Sequence, residues 1–382
     1  MTQGFSFYLN LLRFAAAFVV LLSHFAYERF TRGDYLFIRE WNLGSDAVIV
    51  FFVISGFVIA YAARERDKSG SAFIFARATR LYSVVLPAIL LTLLLDFLGS
   101  RLDPAGYDGW WWNPAPIWEV LLRSMSFTTE WSGNAFRPGT NGPFWSLSYE
   151  AAYYALFGIT AYLSGVRRLL VLALFLLLIG IKPLLLMPAW LLGVWLYRRG
   201  PSALSGLSSA MAGFGGSLVV YVFSLALDVP DNLLAVTVAG LGQGNVAALR
   251  FSNEFVWNGL LGLLVFAHLA GAMTLFNRVT APDGLNRIVS WLAGASFSIY
   301  LVHYPALQFW QAVLPNDGSA LARDGLLLTF TLATCFLFAV LFEVPLRRFR
   351  AALLRLRELL QTEAGSPRRA LRSLRRISSA PP

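Results

Sequence analysis

The sequence predicts an all-α, polytopic membrane protein: a bundle of about ten transmembrane helices. Three observations carry that reading. Hydrophobic residues make up 57% of the 382 residues and charged residues only 14%, whereas a soluble domain carries about 25% charged. Ten apolar segments approach the length of about 20 residues that a helix needs to cross a hydrocarbon core. The chain also holds 12 Trp, 14 Tyr and 31 Phe, a stock of rings suited to anchoring at membrane interfaces.

The ten segments run over 5–27, 46–63, 81–99, 146–164, 169–181, 184–197, 203–227, 255–273, 291–313 and 325–344. The fifth and sixth are short and separated only by Lys182 and Pro183, so a single re-entrant hairpin is the alternative there. The first segment carries Arg13 and His24 and no small-residue cleavage site, so it reads as a retained helix and not a signal peptide. Residues 1–346 form the transmembrane domain and 347–382 a basic tail, too short for a core of its own.

Orientation follows from the basic residues, which favour cytoplasmic loops. With the N-terminus inside, 21 of the 31 Lys and Arg fall on the inner side, nine on the outer side, and Arg13 lies within a span. Both termini are then cytoplasmic, and the protein belongs in the inner (plasma) membrane. The net charge of +10 is concentrated at that inner face, which points to anionic lipid headgroups and away from nucleic acid. The only cysteine, Cys335, excludes an intrachain disulfide and a cysteine-built metal site. No metal is expected.

Ionisable groups inside spans are costly and usually functional. Arg13 and His24 share the first helix. Eleven steps separate them by about 16 Å along the axis and about 20° around it, placing them on one stripe at different depths. Asp46 opens the second span. Glu150 lies near the outer start of the fourth, within Asn141-Gly142-Pro143-Phe144-Trp145-Ser146-Leu147-Ser148-Tyr149-Glu150. His303 lies in the ninth. Arg77 and Arg80, spaced i, i+3 on the inner side, share a helical face.

This pattern has a chemical reading. His24 is the candidate general base, with Asp46 or Glu150 to orient it. Arg13, Arg77 and Arg80 suit the phosphates of a cytoplasmic donor. Structural alternatives stand beside each role: His24 and His303 as packing histidines, Asp46 as a helix cap, and Arg77 and Arg80 as topology charges. His268 reads as packing. Asp96 and Glu343 read as members of local pairs. The outer segment 100–145 holds Trp110, Trp111, Trp112, Trp118 and Trp131, which serve either interfacial anchoring or stacking on a sugar ring.

Taken together these motifs resemble the membrane-bound acyltransferase-3 family. Arg13-x10-His24 resembles its arginine/lysine-x10-histidine signature. Gly44 to Gly56 resembles its second-helix motif, Arg77-Ala78-Thr79-Arg80 its Arg-x-x-Arg, and Trp145-Ser146-Leu147-Ser148-Tyr149-Glu150 its Trp-Ser-Leu-Ser-x-Glu. Ser296 to His303 and Phe342 to Pro345 resemble its closing motifs. The likeness spans nearly the whole chain. Two positions depart from it: Tyr82-Ser83 replaces a Pro-Leu or Pro-Thr, and Ala151 a common second glutamate.

The resemblance implies transfer of an acetyl or other short acyl group from acyl-CoA to a hydroxyl of a saccharide or lipid-linked glycan. It implies His24 as the essential histidine, supported by Glu150 and Asp46, and Arg13, Arg77 and Arg80 at the CoA. Asn141, Trp145, Ser148 and His303 are expected on the substrate side. Direct attack on the thioester and a covalent acyl-enzyme both remain open; no serine has an evident activating neighbour, which favours direct transfer. The rival readings are a transporter or flippase for a lipid-linked saccharide and a non-catalytic scaffold.

Overall fold

The structure, a computed structural model, describes residues 1–204, 206–314, 319–346 and 349–355. Among these the elements are helical, with no strand, as a bilayer requires of a chain that satisfies its own backbone. Six helices are long and apolar enough to cross a membrane, or up to eight if each of two bent pairs is one span. The protein is multi-pass.

Helix α1 spans Gln3–Phe25 and α2 Leu43–Glu65. Thr2 caps α1 by accepting from the Phe5 N–H, and Asp46 lies in the first turn of α2. Helix α3, Gly70–Leu102, is capped by Ser69 and continues through Pro87. After a long connecting segment come α4, Trp145–Tyr162, and the pair α5, Gly165–Ile179, and α6, Ile181–Arg199. Next are Leu207–Ala226 (α7), Val229–Leu241 (α8) and Phe255–Leu275 (α9). Asp283–Gly294 (α10) and Ser296–Val313 (α11) form the second bent pair, and α12 runs over Ala320–Phe338.

The sequence estimate of about ten counts α4 and both arms of the α5/α6 pair as separate spans. Helix α4 is polar for a span because Ser146, Ser148, Tyr149, Glu150, Tyr153 and Tyr154 crowd its first half. The α5/α6 pair bends by 115° at Gly180, whose φ of 74° with ψ of −173° is open essentially to glycine alone. That bend makes the pair either one broken span or the re-entrant alternative of the sequence reading.

Its tip is docked onto the segment between α3 and α4. Ser132 N–H donates to the Ile179 carbonyl at 3.1 Å, and the Ser132 hydroxyl donates to the Leu178 carbonyl. The Lys182 ammonium meets the Glu130 carboxylate at 2.6 Å, both nearly fully buried. Burial pushes the Glu130 carboxyl above its ordinary value, and Lys182 pulls it back down.

Helices α2 and α6 pack backbone to backbone. A Cβ on Gly56 would collide with the Trp190 carbonyl oxygen, and one on Gly193 with that of Val53. Such small residues let membrane helices approach closely. Asp96 and Glu343 are long-range staples, not local pairs. Asp96 accepts from the Thr140 N–H and hydroxyl, and Glu343 accepts from the N–H and hydroxyl of Ser298. His268 packs, bonded to Phe214 and Tyr8. Most of the basic tail lies outside the described residues.

Candidate active site

Two cavities lie at opposite ends of α1. The one beside Met1 is about 340 Å³ and receives the stripe Ser6, Leu9, Asn10 and Arg13. Among the described residues its wall carries five guanidinium groups, Arg13, Arg66, Arg77, Arg80 and Arg350, against one carboxylate, Glu150. Arg13 donates to the Ser296 hydroxyl at 3.2 Å. Arg77 pairs with Asp67 at 3.2 Å, and Arg350 donates to Thr79 and the Ala76 carbonyl, which fixes α3 against the start of the tail. Glu150 accepts from the Ser55 hydroxyl at 2.8 Å and from Tyr154.

The second cavity, about 660 Å³, is lined by His24 in the last turn of α1, with Tyr27, Trp110, Arg137, Trp145 and Arg250 among its walls. Trp145 stacks flat on Phe251 with ring centroids 4.5 Å apart. Between the cavities the α1 stripe continues through Ala17 and Val20, at 0% and 1% exposed. The same layer holds Tyr300, whose hydroxyl bonds Ser146 at 2.6 Å and donates to the Pro143 carbonyl at 3.0 Å. Ser146 and Tyr300 face the first cavity, and Pro143 faces the second. The partition is thus about one residue thick.

His24 is partnered by His303, not by a carboxylate. His303 Nδ1 lies 2.8 Å from the Ile299 carbonyl. A carbonyl only accepts, so Nδ1 holds the proton and Nε2 of the neutral ring is an acceptor. His24 Nδ1 lies 2.9 Å from the Val20 carbonyl and 3.0 Å from His303 Nε2. Both of these accept, so one Nδ1–H of His24 serves both. The network therefore assigns the tautomer, leaving Nε2 of His24 with its lone pair and without a hydrogen bond among the described residues.

The expected carboxylates sit elsewhere. Asp46 is buried and accepts from Trp257 Nε1 and the Tyr221 hydroxyl, each at 2.8 Å, so it ties α2 to α9 and α7. Glu150 belongs to the arginine cavity. Neither bonds to His24 among the described residues, so the expectation that a carboxylate orients His24 gives way to His303 in that position. Asn141 and Ser148, expected at the substrate, line neither cavity. Asn141 donates to Thr92 and the Leu301 carbonyl. Ser148 donates to the Phe127 carbonyl and accepts from the Glu130 N–H. Trp145 does line the second cavity, and His303 reaches it only through His24.

An acyltransferase domain model, that of the acyltransferase 3 family, matches residues 6–342. The chain belongs to the acyltransferase 3 family. Acyltransferase MdmB of Streptomyces mycarofaciens is 32% identical over 150 residues, 38% of this chain and 36% of that protein. The O-acetyl transferase of Shigella phage Sf6 is 29% identical over 163 residues, 42% of this chain and 48% of that one. The matched stretches thus span less than half the length of these curated relatives. No solved structure matches.

Several residues of this acyltransferase 3 site escaped sequence reasoning. Arg66 and Arg350 look like ordinary inside charges, and only the fold brings them to the cavity wall. Arg137 and Arg250 had a usable signal, since they stand on the side of the membrane that the positive-inside rule leaves poor in arginine.

Proposed function

We propose that this acyltransferase 3 protein moves an acyl group, acetyl or another short chain, from cytoplasmic acyl-CoA to a hydroxyl of a saccharide at the outer face. The N-terminus and the arginine cavity then lie on the cytoplasmic side, in keeping with the bias of Lys and Arg. The single observation that carries the reading is the separation of labour along α1: guanidinium groups at one end, an unprotonated imidazole nitrogen at the other, and a thin partition between.

The donor cavity fits the group expected there. Coenzyme A is polyanionic, and guanidinium binds phosphate oxygens in bidentate fashion. Five arginines against Glu150 give the required sign. The nucleotide end would rest at the mouth, with the narrow pantetheine arm directed along α1 toward Tyr300.

His24 Nε2 accepts the proton of the acceptor hydroxyl as its oxygen attacks the thioester carbonyl carbon. The C–O bond forms, the C–S bond breaks, and the electron pair of that bond leaves on sulfur. The proton held on His24 then goes to the thiolate, giving the ester and free CoA. While His24 is cationic, its Nδ1–H remains bonded to the Val20 carbonyl and His303 Nε2, which favours the charged ring. Asp46 holds helices in this account and does not touch reacting atoms, and Glu150 positions Ser55 and Tyr154 at the donor.

The test uses purified protein in nanodiscs, labelled acetyl-CoA and saccharide acceptors. Wild type forms labelled ester and His24→Ala does not, although it still binds acyl-CoA. Ester formation by His24→Ala at the wild-type rate refutes the base, and saccharide transport without ester formation favours a transporter.

A further inference from the structure

The cavity at His24 is lined by basic side chains. Two guanidinium groups, Arg137 and Arg250, are on its wall, and among the described residues none of its lining is Asp or Glu. Each arginine gives one Nη1–H to a backbone carbonyl, Arg137 to Trp110 at 3.2 Å and Arg250 to Ala135 at 3.1 Å. Neither has an ion-pair partner among the described residues. The carboxylate that acts on both is Glu130, and it is held by Lys182. The rest of each planar fork remains for a ligand.

Two further cations stand behind this wall. Arg29 donates to the Tyr304 hydroxyl at 2.9 Å and lies over the rings of Phe30 and Trp111, at 3.9 and 4.8 Å. Arg39 lies 3.7 Å over the ring of Tyr27. Burial pulls the Arg137 guanidinium below its ordinary value, and the neighbouring Arg250 adds to that. Arg29 and Arg39 act electrostatically on His24. During transfer His24 becomes a cation, so a neutral acceptor would leave an imidazolium facing a cluster of arginines with nothing to offset them. An anion bound between them removes that penalty, because charges in a low-dielectric site interact far more strongly than in water.

Resting on the transfer reading above, we propose that the acceptor is an acidic saccharide, whose carboxylate or phosphate is gripped by Arg137 and Arg250 while Trp110 and Trp145 cover the sugar ring. Guanidinium forks match both oxyanions bidentately, and aromatic faces pack on the apolar side of a sugar ring. The two sources of the charge, a uronate on the glycan or the diphosphate of a polyprenyl-linked sugar, place it differently, and the experiment separates them.

The full chain in phosphatidylcholine nanodiscs is titrated with two matched pairs. Trigalacturonate is compared with its methyl ester, and farnesyl-diphospho-N-acetylglucosamine with octyl N-acetylglucosaminide. The expected result is about tenfold tighter binding of at least one acidic member than of its neutral counterpart. That advantage shrinks between low and high salt and collapses toward the neutral level in Arg137→Gln and in Arg250→Gln. Arg250 is exposed, so its replacement leaves the fold intact if Arg137→Gln does not. Which pair shows the advantage identifies carboxylate or diphosphate. The proposal is overturned if neither acidic member outcompetes its neutral partner, or if the advantage survives Arg250→Gln and Arg137→Gln. Equal acetyl transfer to neutral and acidic acceptors would sink this inference and leave acyl transfer standing. An acidic preference in binding, with no transfer from acetyl-CoA to any probe, would do the reverse.

Discussion

Replacing His303 tests whether its contact with His24 is positional or merely packing. In His303→Leu the side chain keeps a similar size but becomes apolar, and His24 Nδ1–H loses the acceptor now 3.0 Å away. The Val20 carbonyl remains at 2.9 Å, so the resting tautomer survives. What is lost is one hydrogen bond to the imidazolium formed during transfer. A hydrogen bond to a charged group is worth about 1.5–3 kcal/mol, and each 1.36 kcal/mol is tenfold in rate. The turnover number should therefore fall about 10- to 150-fold. KM for acyl-CoA should be unchanged, because the arginine cavity is untouched. His303→Gln should recover much of the loss, since its amide oxygen can accept from Nδ1–H. The assay is transfer of labelled acetyl to saccharide at saturating donor, with the melting temperature followed in parallel. A leucine variant within twofold of wild type refutes the role. So does a glutamine variant as slow as leucine, when both losses follow the fall in stability.

Two other perturbations give distinct readouts. Lys182→Met leaves Glu130 buried and unpaired and should destabilise the fold by about 3–5 kcal/mol, read as a lowered melting temperature in detergent, with Glu130→Gln partly rescuing it. Its pH dependence has a definite sign. Burial holds the Glu130 carboxyl above its reference value of 4.5, so the folded variant binds that proton more tightly than the unfolded chain does. Stability then falls as pH rises above that value, and mild acid protects. Tyr300→Phe removes the bond across the partition, to Pro143, and the bond to Ser146 on its own side. The bond across the partition is worth about 0.5–1.5 kcal/mol, so acceptor-independent hydrolysis of acetyl-CoA should rise by about two- to tenfold, measured as free thiol. An unchanged background would show that the partition is not what keeps water from the thioester.

The membrane character and the stripe joining Arg13 to His24 were legible in the sequence because both depend on one helix. Composition and period 3.6 need no tertiary information. The Arg77–Arg80 pair was legible for the same reason. What failed was pairing across helices. Glu150 lies on α4 and His24 on α1, and no spacing rule says which side chains meet. His303 looked like a substrate contact because its motif position was visible and its partner was not. Asp46 reads as catalytic because a carboxylate in a span is costly, whereas the fold gives each of its oxygens a donor, from Trp257 and from Tyr221. Asp96 and Glu343 were judged local for want of a local clue that Thr140 and Ser298 come back to them. The counts of spans differ where polarity and a glycine bend replace length, at α4 and at Gly180.

The partition explains why a single helix can carry both signature residues. On the transfer proposed above, a donor held on the cytoplasmic side and an acceptor held on the outer side react only where the two cavities nearly meet. An open channel between them would leak ions and hydrolyse the thioester. Eleven residues of α1 set the separation at about 16 Å, too far for Arg13 to touch what His24 touches. The intervening turns carry Ala17 and Val20, both buried, so the stripe is polar at its ends and sealed in its middle. Tyr300 closes the remaining side with a hydroxyl that can change partners. A pantetheine arm displacing that hydroxyl would bring the thioester to the seal without opening it to water, and would leave the phosphates with the arginines that bound them. On that geometry the spacing of arginine and histidine sets the gap between the donor and acceptor ends, about half of a hydrocarbon core of about 30 Å, and shortening or lengthening α1 by a turn between them should uncouple donor binding from transfer.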